Sequence, residues 1–233
     1  MITGDATRYT LLLSSLPYLP PPLSQQRFIP PTRIQIGKAL ALLSEEDAQR
    51  MQRIHAVIHW SHLPLERDDA TMIDQVNKLM AGEKSLFLRE LMLDRLELRT
   101  LIAALRRREL DRKPQPGEPW AISRYTGHIL ANWHDPAFGL GHLFGWLNEA
   151  ARLLHQGDSL ALDRLLMRES WRRLQRVDDR HDFGFDAVVL YMMRWNILDR
   201  FSRQHEGIAV SRFESMVNDA LADHKLVFES AGA

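Results

Sequence analysis

The stretch HAVIHWSH offers three imidazoles, His55, His59 and His62, at i, i+4 and i+7. On a helix that spacing places them along one face. Two such groups can hold a zinc ion, so a helical metalloenzyme using His55 and His59, with a carboxylate brought near by folding, is one functional reading. The metalloprotease arrangement also requires a Glu immediately after the first His. Ala56 stands there instead, and histidines on an amphipathic helix account for the pattern more economically. A second chemical suggestion is HDPAFGLGHLFGW, with His134, Asp135 and His142. Asp135-Pro136 is equally a turn start, and Gly139 and Gly141 suit a loop entering a helix. These glycines follow no strand and lack the Lys-Ser/Thr of a phosphate-binding loop. No Ser stands in a strand–turn–helix nucleophile elbow. The expectation is therefore no catalytic residue, no metal and no cofactor.

The other polar constellations are basic. RRRE covers Arg106 to Glu109 and WRRLQR covers Trp171 to Arg176. Each lies near the end of a helical pattern, where cations complement the helix dipole. Thirty Lys and Arg balance thirty Asp and Glu, so no overall field draws the chain to nucleic acid. Partner binding fits better, because Arg and Trp are enriched at interface hot spots. Arg106, Arg107 and Arg172 are the candidate contact residues. With no cysteine, disulfides and thiol chemistry are excluded, which fits a reducing compartment without proving one.

Helices must position these groups. The 233 residues, 45% hydrophobic and 26% charged, suit one helical domain with a subregion boundary near DRKPQPGEP, dividing 1–113 from 114–233. Tyr9 to Leu16 is expected as a short strand or extended arm, and the prolines from Pro17 to Pro31 as an extended connection. It lacks the basic start and long apolar run of a secretion signal. Helices are expected over Arg33–Leu43, from Ser44 of SEED to about Trp60, and over Asp69–Met80. The longest, Ser85 to about Leu110, carries Leu91, Leu98 and Leu105 on one stripe. Others run from about Pro119 to Ala131, from about Leu140 to His155, and from Asp158 or Ser159 to about Val177. Ser211 and Glu214 stand at capping-box spacing before a last helix ending near His224. The architecture is an all-α, multi-helix bundle with a short N-terminal extended arm. No apolar run reaches the roughly 18 residues of a spanning helix.

FGFDAVVLYMMRWNILDRF, residues 183–201, is the most apolar helix. Val188, Val189, Met192 and Asn196 share one face, and Tyr191, Trp195 and Leu198 another. A helix apolar on more than one side must be covered on more than one side. This segment, continued by EGIAVSRFESMVNDAL, resembles the C-terminal part of a bacterial family related to the C-type subunit of V-type ATP synthases, the counterpart of the eukaryotic d-type subunit. Phe185, Asp186, Tyr191, Arg194, Trp195, Leu198, Arg200, Gly207, Phe213 and Glu214 carry the likeness. The opening YTLLLSSLP is similar to that family's first strand, and LRTLIAALRRRELD to its middle helix, with Arg99 where Asn is common. The resemblance implies a non-enzymatic helical socket between membrane rotor and central shaft. It would bind rotor or shaft subunits and lie in the cytoplasm, at the membrane face when assembled.

Overall fold

Ser85 does two jobs at the start of the longest helix. Its Oγ accepts a hydrogen bond from the Leu88 amide at 3.2 Å, capping the first turn, and donates to Asp186 Oδ2 at 2.6 Å. The cap thus sets a local boundary and fastens it to a segment far along the chain. In a computed structural model, which describes residues 2–22, 28–58, 69–115, 117–177 and 183–204, all the regular elements among these residues are helical. They are α1 (Ile2–Ser15), α2 (Arg33–Leu40), α3 (Glu45–Ile58), α4 (Asp69–Gly82), α5 (Leu86–Glu109), α6 (Thr126–Ala131), α7 (Leu147–His155) and α8 (Ser159–Arg176). A further helix, α9, covers 185–204.

The expected N-terminal strand is a helix. Tyr9, Leu12, Leu13 and Leu16 recur at i, i+3, i+4 and i+7, which is helical spacing rather than alternation. Leu12 is fully buried and the other three pack around the same core. The Tyr9 hydroxyl donates to Asp47 Oδ2 at 2.6 Å on α3. An extended arm would need a neighbouring strand to satisfy its backbone, and none is present among the described residues; a helix satisfies those groups internally. The proline-rich connection is non-helical over 17–20 and 28–32, as expected. Two side chains of α9 hold it: Tyr191 Oη donates to the Pro17 carbonyl at 2.9 Å, and Trp195 Nε1 to the Pro31 carbonyl at 2.8 Å.

The helix expected over Arg33–Leu43 stops at Leu40, and two others start later than expected. The first starts at Thr126 rather than Pro119. Upstream, the Ile122 carbonyl accepts from Thr100 Oγ1 at 3.1 Å. Ser123 Oγ accepts from the Tyr125 amide at 3.0 Å, and Thr126 Oγ1 donates to the Ser123 carbonyl at 3.2 Å. Such local side-chain bonds compete with a helical ladder. The second starts at Leu147 rather than Leu140, after a run of turns containing Gly141 and Gly145. There Phe144 meets Tyr125 edge-on, with ring centroids 5.2 Å apart. The anticipated turn at HDPAFG is a tight 3₁₀ turn over Pro136–Gly139. Gly157, at φ +69°, ends α7, and the Asp158 amide bonds back to the Leu153 carbonyl at 3.0 Å. Asp158 Oδ1 then caps α8 through the Ala161 amide at 2.9 Å.

Burial divides into two apolar clusters. One gathers Leu12, Ile54, Leu88, Met92, Trp171 and Val188 from α1, α3, α5, α8 and α9. The other gathers Leu98, Leu101, Ile129, Phe138, Leu147 and Leu165 from a continuous part of the chain. We call them the outer and inner cores. Val188, Val189, Leu190, Trp195 and Leu198 of α9 are all buried, so the expected covering on more than one side is present. Helices α5 and α8 run through both cores. Among the described residues no helix is long and apolar enough to cross a membrane.

Candidate functional site

The two cores change over near Leu96 on α5 and Leu166 on α8, and there the sequence turns polar: LDRLELR and MRESWRR. The residues of this seam are interlocked. Arg173 Nη1 donates to Asp94 Oδ1 at 2.8 Å and to the Asp94 carbonyl at 3.2 Å. Arg95 donates to the buried Ser170 hydroxyl. Arg124 Nε meets Glu97 Oε1 at 2.6 Å and Nη2 meets Oε2 at 3.3 Å, a fork that satisfies a carboxylate only 2% exposed. Arg172 bonds Glu169 Oε1 at 2.6 Å one helical turn back.

Two cavities open on this seam, sharing Asp94 and Arg173 as a wall. On one side is an open groove of about 910 Å³. Its floor is apolar, with Leu91, Phe144, Trp146 and Leu165, and its rim includes Arg124, Arg168, Arg172 and Arg176 together with Glu90 and Glu149. On the other side is a smaller, more enclosed cavity of about 110 Å³ between α3, α5, α8 and α9. A groove with an apolar floor and a charged rim suits a protein segment, whose side chains fill the floor while the rim fixes orientation.

The electrostatics follow this layout. Burial pushes the Asp94 carboxyl above its usual range; Glu97 adds to the shift, and Arg173 and Arg124 only partly oppose it. Burial also lowers Arg95 to about 10, helped by the like charges of Arg200 and Arg173. The contrasting pair is Arg50–Glu83, between α3 and the end of α4. Burial alone would raise Glu83, but the bonds from Arg50 and from the Ser85 amide hold it below the ordinary carboxylate range. Arg50 also lies 4.3 Å from the centre of the Phe185 ring, so this pair anchors α9.

The candidate arginines do not converge. Arg106 is exposed and borders the enclosed cavity. Arg107 bonds Glu118 Oε1 at 3.0 Å and lies over Trp120 at 5.8 Å. Arg108 covers the Phe138 ring at 4.4 Å and donates to the Asp135 carbonyl at 2.9 Å. Successive residues on a helix point roughly 100° apart, so RRRE radiates rather than forming one patch. Arg172 stands on the groove rim near the level of Asp94, which helical rise places about 18 Å along α5 from Arg106. Of the same rim, Arg176 closes the WRRLQR patch without being among the candidate contacts, and Arg168 lies outside it; their i, i+4, i+8 series with Arg172 was the available signal.

His55 is half-buried on α3, while His59 and His62 lie outside the described residues. Among the described residues, no group of three or more His, Cys, Asp or Glu side chains could hold a metal ion. His134, Asp135 and His142 are all exposed, and Asp135 serves the turn through its backbone. Gly207, Phe213, Glu214 and the last expected helix also lie outside the described residues. Compared with models of protein families, with curated proteins and with solved structures, the chain matches none.

Proposed function

We propose that this chain is a non-catalytic adaptor or accessory protein of a V-type ATPase or ATP synthase, akin to the C-type subunit of that motor. It binds rotor or shaft subunits at the cytoplasmic face of the membrane and couples the ring to the shaft. The observation that carries the reading is the seam groove: an apolar floor and an arginine-studded rim, set on two helices that run through both cores. A torque-transmitting connector needs a docking surface rigidly tied to its frame. Here the groove's own charged residues are bonded within and across α5 and α8, so a load on the groove passes into both cores.

The residues of the C-terminal resemblance have matching structural roles. Asp186 fixes the start of α5, Tyr191 and Trp195 hold the proline-rich connection, and Arg200 pairs with Asp163 on α8. The likeness therefore rests on residues that determine architecture, as expected for an adaptor whose work is done by shape. Tagged full-length protein incubated with solubilised V-type ATPase membranes should retain rotor or shaft subunits, identified by mass spectrometry. Recovery of no ATPase component would contradict the proposal.

A further inference from the structure

A second open groove, of about 620 Å³, lies along α7 and α8. Leu153, Leu160, Ala161 and Leu165 give it an apolar floor, and Phe201 from the last turns of α9 lines it as well. Leu160 is 42% exposed, so part of this floor faces water. Arg152, Arg164 and Arg168 line the same groove and are exposed. Arg152 bonds the neutral Gln156 at 2.8 Å, and Arg168 comes only within 4.0 Å of Glu149. Among the described residues Arg164 has no partner. The other nearby carboxylate, Asp158, serves as the cap of α8.

The chain itself arrives beside this groove. Gln204, at the end of α9, donates to Asp163, the residue before Arg164, and 29 residues follow it. In that sequence Val210, Phe213, Met216, Val217, Ala220 and Leu221 fall on one side at helical spacing, with Glu214 and Asp223 on its two edges. Such a stripe calls for an apolar surface to cover it. The 29 residues hold Glu206, Glu214, Asp219, Asp223 and Glu229 against Arg212 and Lys225, an acidic balance that suits arginine edges. The five residues 205–209 can span up to about 16 Å, whereas the groove face of α8 from Ala161 to Arg168 is only about 10 Å long. A segment tethered so closely meets the groove at an effective concentration on the order of millimolar. The rival apolar groove, lined by Leu16, Phe28, Ile29 and Leu42, has no α9 residue in its wall and only Lys38 as a charged one.

We propose that the groove along α7 and α8 is an intramolecular docking site for the chain's own C-terminal segment, 205–233. The stripe from Val210 to Leu221 covers the apolar floor, and its acidic edges face Arg152, Arg164 and Arg168. The inference is independent of the adaptor reading and stands or falls separately.

The test is photo-crosslinking in the full chain, with p-benzoylphenylalanine in place of Phe213 and, in a second protein, in place of Met216. After irradiation in dilute solution the product should run as a monomer, and peptide mass spectrometry should place the crosslinks within residues 149–168. The double variant Arg152→Gln/Arg164→Glu breaks no carboxylate pair, so it should fold normally, and it should lower the crosslink yield at least about fivefold. Crosslinks from both probes to the groove at Phe28–Leu42, a covalent dimer, no product from either probe, or a yield indifferent to the arginine changes would each overturn the proposal. No ATPase component enters the experiment, so its failure is distinct from failure of the adaptor reading.

Discussion

The outer and inner cores are of similar apolar character but opposite construction. The inner core is made almost wholly from a continuous run, 98–165, joined by short turns. The outer core brings together residues from 12 to 92 and from 167 to 198, so its closure depends on contacts distant in sequence. Local contacts form with little loss of chain entropy, whereas distant ones require long loops to close first. The contrast teaches that α5 and α8 are the frame. Each gives one half to the local core and one half to the distant core, and the polar seam lies where they change allegiance. Both cavities open on that seam because side chains there serve neither core.

Two truncations on α5 test the comparison most severely. Leu88 in the outer core and Leu101 in the inner core are both fully buried, and replacing either by Ala should cost about 2–5 kcal/mol. Since one helix carries both, each variant should shift a single urea transition, with Trp195 reporting the outer core and Trp133 the inner. Two separate transitions, with Leu88→Ala moving only the outer one, would show that the cores fold as independent units.

Arg124→Ala is expected to have the next largest effect. It strands Glu97, whose side chain is 3% exposed, so about 2 kcal/mol should be lost. Arg124→Lys should recover only part of it, because a point charge cannot reproduce the fork. A loss below about 0.5 kcal/mol in urea melts would mean that water replaces the guanidinium freely.

Acid separates the two arginine–carboxylate pairs by sign. Glu83 is held below its ordinary range, so its contribution is complete above the unfolded value and is lost as pH falls through the folded one. Asp94 is raised, so the folded state takes up its proton first, and ionised Asp94 weighs against the fold above that point. Urea midpoints measured between pH 6 and pH 3 should fall more gently in Glu83→Gln than in the parent. They should fall more steeply in Asp94→Asn, which lacks the partial offset. Parallel curves for all three would remove the distinction between anchor and seam.

Much of the frame was legible in the residues. Ser85, Asp158 and Gly157 mark helix ends by chemistry that needs no neighbour, and α5 and α8 fall within about a residue of their expected limits. The apolar surround of α9 followed from its being apolar on more than one side. The N-terminal helix was missed because an eight-residue apolar run beside prolines reads as strand until the i, i+3, i+4, i+7 series is counted. The unwound stretches before α6 and α7 depend on bonds such as Thr100 to Ile122, which no local pattern announces. The groove was only partly readable: Arg172 was recognisable as a candidate, but its joining with Arg124 from another segment required the fold. So did the discovery that Arg107 is occupied with Glu118 and Trp120.

The same kind of occupation decides how the groove is best probed. Arg172 answers to the buried Glu169, so reversing its charge would disturb the frame as well as the surface. Arg168 and Arg176 stand on the rim, where charge can be changed with less cost to the frame. The most direct measurement of the central claim is the affinity of the double variant Arg168→Glu/Arg176→Glu for purified V-type ATPase rotor and shaft subunits, alongside the parent protein. The account predicts saturable binding by the parent, at least tenfold weaker binding by the variant, and a Tm within about 2 °C of the parent's. Binding by the parent that is unchanged in the variant, or no binding by the parent at all, would contradict it.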